Sequence, residues 1–181
     1  TLRSALAECR QTERGISAED ARWILKEIAA AIDHAHEKGV LHRDIKPANL
    51  MLTEPTTAPL GKDGAHVKLT DFGIAYVANT SFTQLTGQNH TSGTLPYMAP
   101  ELITGGRPSQ SSDLYALGAT LYELIAGEAP FCRGDISLQI RKQEPVSLDS
   151  GDAALDAAIA AALAKDPADR PASATAFLRV A

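Results

Sequence analysis

The hydrophobic residues between positions 17 and 38 recur at the spacing of an α-helix. Ser17 followed three residues later by Asp20 has the form of a capping box, which marks the start of a helix. Gly39 ends the pattern, as glycine commonly does just beyond a helix C-terminus. The pattern predicts a helix that places one broad face on a core, with Ala21, Ile24, Leu25, Ile28, Ile32 and Ala35 on that face.

Three shorter apolar pieces follow, at residues 40–41, 50–52 and 67–69, each of strand length. The last two are separated by a stretch rich in proline and glycine, and together they predict a hairpin with a long tip. From residue 74 to 93 the chain is polar and shows no period, which predicts a long loop of the kind that is usually functional or mobile.

The second half of the chain is predicted to be helical. Residues 113–125 are apolar on more than one face and end at Gly127, which is typical of a buried central helix. A second helix is marked by apolar residues within 155–163 and ends before Pro167, and a last turn begins near Ser173. The sequence therefore predicts a mainly α fold with one small β-hairpin and no internal domain boundary.

Composition narrows the class of protein. The 181 residues are 44% hydrophobic and 22% charged, which is ordinary for a chain that buries one core. The net charge of −5 and the lack of a basic run disfavour a nucleic-acid partner, and no polybasic patch or bilayer-length apolar run predicts membrane contact by this segment. Cys9 and Cys132 form no disulfide or metal motif, which favours a cytoplasmic location, including the cytoplasmic part of a larger membrane-anchored protein.

Three motifs carry the chemistry: HRDIKPAN at residues 42–49, DFG at 71–73 and GTLPYMAPE at 93–101. Each is weak alone, but in this order they resemble the catalytic loop, the metal-binding motif and the APE motif of protein kinases. The resemblance covers almost the whole chain. It implies a protein-kinase-like C-terminal lobe, mainly α with a small hairpin, whereas the whole family domain is α+β.

The resemblance assigns the catalytic roles. Asp44 would accept the proton of the acceptor hydroxyl, and Lys46 would place a positive charge near the transferring phosphate. Thr94 would hydrogen-bond toward both. Asn49 and Asp71 would supply oxygen ligands to Mg²⁺, with Mn²⁺ as an alternative ion, and so help to bind ATP.

Met51 would lie beneath the adenine ring, although a plain core methionine fits the same position. Arg43 resembles the arginine that in many relatives pairs with a phosphate on the activation segment, where Thr91 and Thr86 are the nearest hydroxyls. A polar loop without modification is an equally open interpretation of those two threonines.

Further matches are structural. Asp113 resembles the aspartate that holds the backbone of the catalytic loop, and Glu101 with Arg170 resembles the ion pair that ties the activation segment to the late helices.

His34 and His36, two positions apart near the end of the first helix, point to different faces, so we expect no metal site there.

His42 and Phe72 would be packing residues rather than an acid or a base. Lys46 and the residues ahead of Glu101 resemble those of the serine/threonine branch of the family. The sequence of the catalytic loop is most similar to that of bacterial kinases. The stretch between Asn49 and Asp71 is longer than usual in the family, which indicates an insertion at residues 54–64.

The family's Gly-rich loop, its lysine-bearing strand and the glutamate of the following helix are not found in this sequence. Residues 1–181 are therefore expected to be a cut piece, the C-terminal lobe of a kinase domain whose N-terminal lobe is absent from this chain. The expected function is transfer of the ATP γ-phosphate to Ser/Thr hydroxyls of protein substrates, in signalling, with little or no activity of the piece alone.

Two alternatives remain. The first is a one-lobed kinase-like module that binds proteins without catalysis. The second, a small-molecule phosphotransferase of the aminoglycoside type, is disfavoured because such enzymes usually lack a segment like residues 94–101.

Overall fold

The computed structural model describes residues 15–53, 66–72 and 93–181. This part of the chain forms one two-stranded antiparallel sheet, made of β1 (Leu50–Leu52) and β2 (Val67–Leu69), and six α-helices. The helices are α1 (Ala18–Glu37), α2 (Pro100–Ile103), α3 (Gln110–Ala126), α4 (Ile136–Lys142), α5 (Ala153–Ala162) and α6 (Ala174–Val180). Short 3₁₀ turns lie at Pro47–Asn49, Leu95–Tyr97 and Pro167–Asp169. The predicted mainly α fold with a small hairpin is confirmed.

Helix α1 begins and ends where the sequence predicts. The Ser17 hydroxyl oxygen accepts the backbone N–H of Asp20 at 3.1 Å and donates to the Asp20 carboxylate at 2.7 Å. The apolar face is buried, including Ile24 and Ile28. Gly39 follows the helix with a φ of 73°, a conformation that favours glycine. The capping residues therefore set both ends of a helix whose packing comes from one face.

Helix α3 is the buried centre of the fold. It begins at Gln110, three residues before the predicted start, because its first turn is polar and lies outside the apolar pattern. Ser109 and Ser112 form a reciprocal capping box, and Gly127 ends the helix in the left-handed region with a φ of 81°. A Cβ atom on Gly118 would lie 2.8 Å from the Ala162 Cβ, so α3 and α5 cross at close range.

The hairpin is present with Leu50 opposite Leu69 and Leu52 opposite Val67. Other expectations need correction. Residues 40–41 form no strand, since the backbone N–H of Val40 bonds to the Ala35 carbonyl and continues the helix terminus. The short helices α2 and α4 were not predicted, because four and seven residues are too few to establish a helical period.

Several predictions fall outside the described residues: the hairpin tip at 54–64, almost all of the loop at 74–93, and Cys9. Cys132 is a free, exposed thiol. Among the described helices, none combines the length and the hydrophobicity needed to cross a membrane.

Candidate active site

The carboxylate of Asp44 lies at the centre of a polar cluster between α1 and β1. Its Oδ2 atom accepts from Lys46 Nζ at 2.8 Å and from Asn49 Nδ2 at 3.0 Å. Its Oδ1 atom accepts from the Thr94 hydroxyl at 3.2 Å, and Lys46 Nζ also donates to that hydroxyl oxygen at 3.1 Å. The Asp44 side chain is 17% exposed, so the carboxylate is fixed by these hydrogen bonds and is still accessible from the surface. The contacts predicted for Thr94 with Asp44 and Lys46 are thus present.

The hairpin places Thr70, the residue before Asp71, against Asn49. The backbone N–H of Thr70 donates to the Asn49 carbonyl at 2.9 Å, which extends the ladder to the residue before Asp71. The Asn49 amide nitrogen is directed at Asp44, and within the described residues the amide oxygen receives no hydrogen bond. Asp71 is exposed and accepts only the Thr70 hydroxyl, at 3.3 Å, among these residues. Both side chains therefore keep oxygen atoms that no other described residue engages.

These two side chains fit a magnesium ion that is shared with phosphate groups. The described residues contain no group of three histidine, cysteine, aspartate or glutamate side chains that could hold a metal by themselves. Mg²⁺ does not need such a group, because it is usually bound through one or two carboxylates together with substrate phosphates and water. The free amide oxygen of Asn49 and the exposed carboxylate of Asp71 are hard ligands of this kind.

Backbone strain is concentrated at this site. In the described part of the chain, Arg43 and Asp71 are the only residues other than glycine with positive φ, at 67° and 65°. Such a conformation costs about 1–3 kcal/mol and persists only where the surroundings enforce it. Arg43 directly precedes Asp44, and Asp71 follows the end of the hairpin, so both strained residues lie beside the polar cluster of this site.

Asp113 at the start of α3 holds the strained turn. Its Oδ1 atom accepts the backbone N–H of Arg43 at 2.8 Å. Its Oδ2 atom accepts the backbone N–H of His42 at 2.8 Å and is 2.9 Å from His36 Nε2. The predicted contact between Asp113 and the backbone of the catalytic loop is present, and the carboxylate is buried.

His42 connects the loop to the hairpin. Its Nε2 atom is 2.8 Å from the Thr70 carbonyl oxygen, and its Nδ1 atom accepts the backbone N–H of Asp44 at 3.3 Å. The ring centroid lies 4.6 Å from that of Phe72. Burial lowers the pKa of His42 below its ordinary value, although the Thr70 carbonyl and nearby carboxylates oppose the shift. A neutral ring with both nitrogens engaged fits the predicted packing role.

The predicted ion pair between Glu101 and Arg170 is present. Arg170 Nη1 donates to Glu101 Oε1 at 2.8 Å, and Nη2 donates to Oε2 at 2.7 Å. Arg170 also donates from Nε to the Ala164 carbonyl at 2.9 Å, and its guanidinium lies 5.0 Å from the centre of the Tyr115 ring. This pair ties the end of the 93–101 segment to the loop after α5.

The remaining predicted residues divide into two groups. Met51 is 43% exposed in this structure, so its apolar side chain is accessible to a ligand. Its role beneath an adenine stays a prediction. Thr86 and Thr91 lie outside the described residues.

Sequence reasoning assigned no partner to two polar side chains that contact this network. Tyr97, in the 93–101 segment, donates its hydroxyl to the Glu123 carboxylate on α3. His36 is buried and contacts Asp113, whereas His34 is exposed, so the two histidines do point to different faces. The signal for His36 was its place four residues after Ile32 on the apolar face of α1, where a polar group needs a partner.

Comparison with known proteins identifies the family. Residues 2–179 match the family described as "Protein kinase domain". The serine/threonine-protein kinase PknJ of Mycobacterium tuberculosis is 40% identical over 170 residues, which cover 89% of this chain and 28% of that protein. PknF of the same species is 37% identical over 163 residues, covering 86% of this chain and 33% of that protein. The chain thus spans a third or less of these curated relatives.

A similar solved structure is described as the Rad53 kinase domain and SCD2 in complex with AMPPNP. It matches with a TM-score of 0.68 and 25% identity over 91% of this chain and 59% of that one. The matching fold, the mycobacterial relatives and the network around Asp44 agree with one another, and the chain belongs to the serine/threonine protein kinase family.

Proposed function

We propose that this chain is the catalytic lobe of a protein kinase that transfers the γ-phosphate of ATP to serine or threonine hydroxyls of proteins. The observation that carries the proposal is the Asp44 carboxylate, held by Lys46, Asn49 and Thr94 and still partly exposed. Phosphoryl transfer asks a protein mainly for positioning and for neutralisation of charge, and these contacts supply both.

Each side chain has a distinct part in the proposed reaction. An Asp44 carboxylate oxygen accepts a hydrogen bond from the acceptor hydroxyl, which orients it, and takes its proton as the oxygen bonds to the γ-phosphorus. The bond between that phosphorus and the leaving ADP oxygen breaks. Lys46 offers its ammonium to the moving phosphoryl group, and Thr94 fixes Lys46 and Asp44 relative to each other.

Asn49 and Asp71 would hold Mg²⁺ on the phosphates of ATP. Bound there, the ion would neutralise negative charge on the phosphates. The chain's own contribution is to fix the two ligands: Asn49 through its bonds to Asp44, and Asp71 through the hairpin contact of Thr70.

The test compares full-length protein with its Asp44→Asn variant. We expect wild type to move labelled phosphate from ATP to protein serine or threonine, and the variant to be about 10²–10⁴-fold slower, the range for loss of a general base. Asp149→Asn, a change at an exposed aspartate outside the site, is the matched control and should keep wild-type activity. Equal rates for wild type and Asp44→Asn would remove Asp44 from the mechanism.

The competing function is protein binding without catalysis. The sequence contains no Gly-rich loop and no strand with the matching lysine, so we expect the 181-residue chain alone to transfer little or no phosphate. Full-length protein that also transfers none, under conditions where it is folded, would favour the binding module instead.

A further inference from the structure

The C-terminus of α1 and the N-terminus of α3 are joined by two reciprocal side-chain contacts. From α1, His36 Nε2 lies 2.9 Å from Asp113 Oδ2. From α3, Gln110 Nε2 donates to the His36 carbonyl oxygen at 3.2 Å. The side chains of His36 and Asp113 are 6% and 1% exposed, so this contact is shielded from water. It brings a side chain of α1 into the network that supports the catalytic loop.

His36 has no place in the proposed reaction itself. It contacts neither Asp44 nor the hairpin oxygens in the described structure, and no metal-binding group is found among the described residues. An apolar side chain would serve the core face of α1 equally well if packing were its only task. The imidazole Nε2–H instead supplies a donor to a buried carboxylate, which would otherwise lack that hydrogen bond.

The Asp113 carboxylate is held by three donors with different origins. Two are the backbone N–H groups of His42 and Arg43, which belong to the turn that the carboxylate itself supports. The third, His36, comes from a separate helix and is the one side-chain donor that this carboxylate has among the described residues. His36 therefore provides an anchor that does not depend on the conformation of the turn.

We infer that His36 is a positioning residue for Asp44 and acts through Asp113. Without the imidazole, the carboxylate keeps only the two backbone donors of the turn that it supports, one on each oxygen. The turn at Arg43, with its φ of 67°, then loses part of what enforces it, and Asp44 is the next residue. The inference rests on the proposed kinase function, because a positioning effect is measured on that reaction.

The test uses full-length protein carrying His36→Leu or His36→Gln. Leucine fills a similar space without a donor, whereas the glutamine amide can still donate to Asp113. We expect His36→Leu to lower kcat about tenfold, with KM for ATP unchanged, and His36→Gln to stay within about threefold of wild type. His34→Leu, at an exposed position two residues away, is the matched control and should leave kcat unchanged.

A second readout does not depend on activity. Backbone hydrogen exchange at His42 and Arg43 should be faster in His36→Leu than in wild type, with exchange in the middle of α1 unchanged. If His36→Leu does not fold, His36→Asn replaces it, since its shorter amide does not reach the Nε2 position. Equal kcat for the donor-keeping and donor-lacking variants, or unchanged exchange at residues 42 and 43, overturns the inference.

Failure of the proposed function gives a different result. In that case wild type and Asp44→Asn transfer phosphate equally, while the exchange measurement still reports whether His36 supports the turn.

Discussion

Replacement of Glu101 by glutamine tests how the chain holds its activation segment. Arg170 is fully buried in the structure, with 0% side-chain exposure, and Glu101 is 22% exposed. Glu101→Gln keeps the shape of the side chain and removes its charge, so no cavity is created. The change isolates the loss of charge from the loss of packing.

The size of the effect follows from what remains around Arg170. Both terminal nitrogens lose a charge-assisted acceptor, while the carbonyls of Ala164, Ser111 and Lys165 stay in place. A buried charge whose partner is removed costs on the order of 3–5 kcal/mol. Because these carbonyls still accept hydrogen bonds from Arg170, we expect a loss of unfolding free energy near the lower end, about 3 kcal/mol. This is a large part of the 5–15 kcal/mol that stabilises a typical domain.

The assay is urea unfolding followed by the fluorescence of Trp23, the single tryptophan of the chain. Arg133→Ala is the control, because its pair with Glu128 is 85% and 56% exposed and contributes about 0.5 kcal/mol or less. If Glu101→Gln lowers the free energy of unfolding by no more than Arg133→Ala does, the reasoning is refuted. That result would mean that the buried Arg170 guanidinium needs no counter-charge.

Two further changes test the helix contacts. Burial alone would raise the pKa of Asp33, but hydrogen bonds from Thr175 and Ala174 lower it below the ordinary value of 3.8. The ionised Asp33 carboxylate therefore stabilises the fold above about pH 4, and this stabilisation is lost as the pH falls through the lowered pKa. Asp33→Asn should therefore be less stable than wild type at neutral pH, and the difference should shrink in acid unfolding curves below about pH 4. Gly118→Ala would place a Cβ 2.8 Å from that of Ala162, and we expect thermal or urea unfolding to show a loss of about 1–3 kcal/mol.

The elements that sequence predicted well are those in which local and tertiary signals agree. In α1, a capping serine, an apolar period and a terminal glycine all indicate the same helix, and the hairpin is bounded by turn residues on both sides. The residues that cluster around Asp44 were predicted from the resemblance of the motifs to those of protein kinases. Composition and periodicity alone would have left Thr94 in a polar loop, because nothing local connects it to residue 44.

The contacts that sequence did not predict are long-range contacts between side chains. His36 and Asp113 are 77 positions apart, and Asp33 and Thr175 are 142 apart. Helical spacing places each residue on a face, but the identity of its partner depends on how the helices cross. Arg43 is a similar case: its left-handed backbone is not a preference of arginine, and the Asp113 carboxylate enforces it from another helix.

The strained residues bear on the choice between catalysis and binding alone. Arg43 and Asp71 each hold a backbone conformation that costs about 1–3 kcal/mol and that persists only where the surrounding structure enforces it. Both lie beside the proposed reaction centre: Arg43 directly precedes Asp44, and Asp71 is one of the two proposed metal ligands. The buried pair of His36 and Asp113 adds support to the first of them. Strain of this kind clusters at active sites, ligand clamps and switch regions, so its position here supports the proposed phosphotransfer.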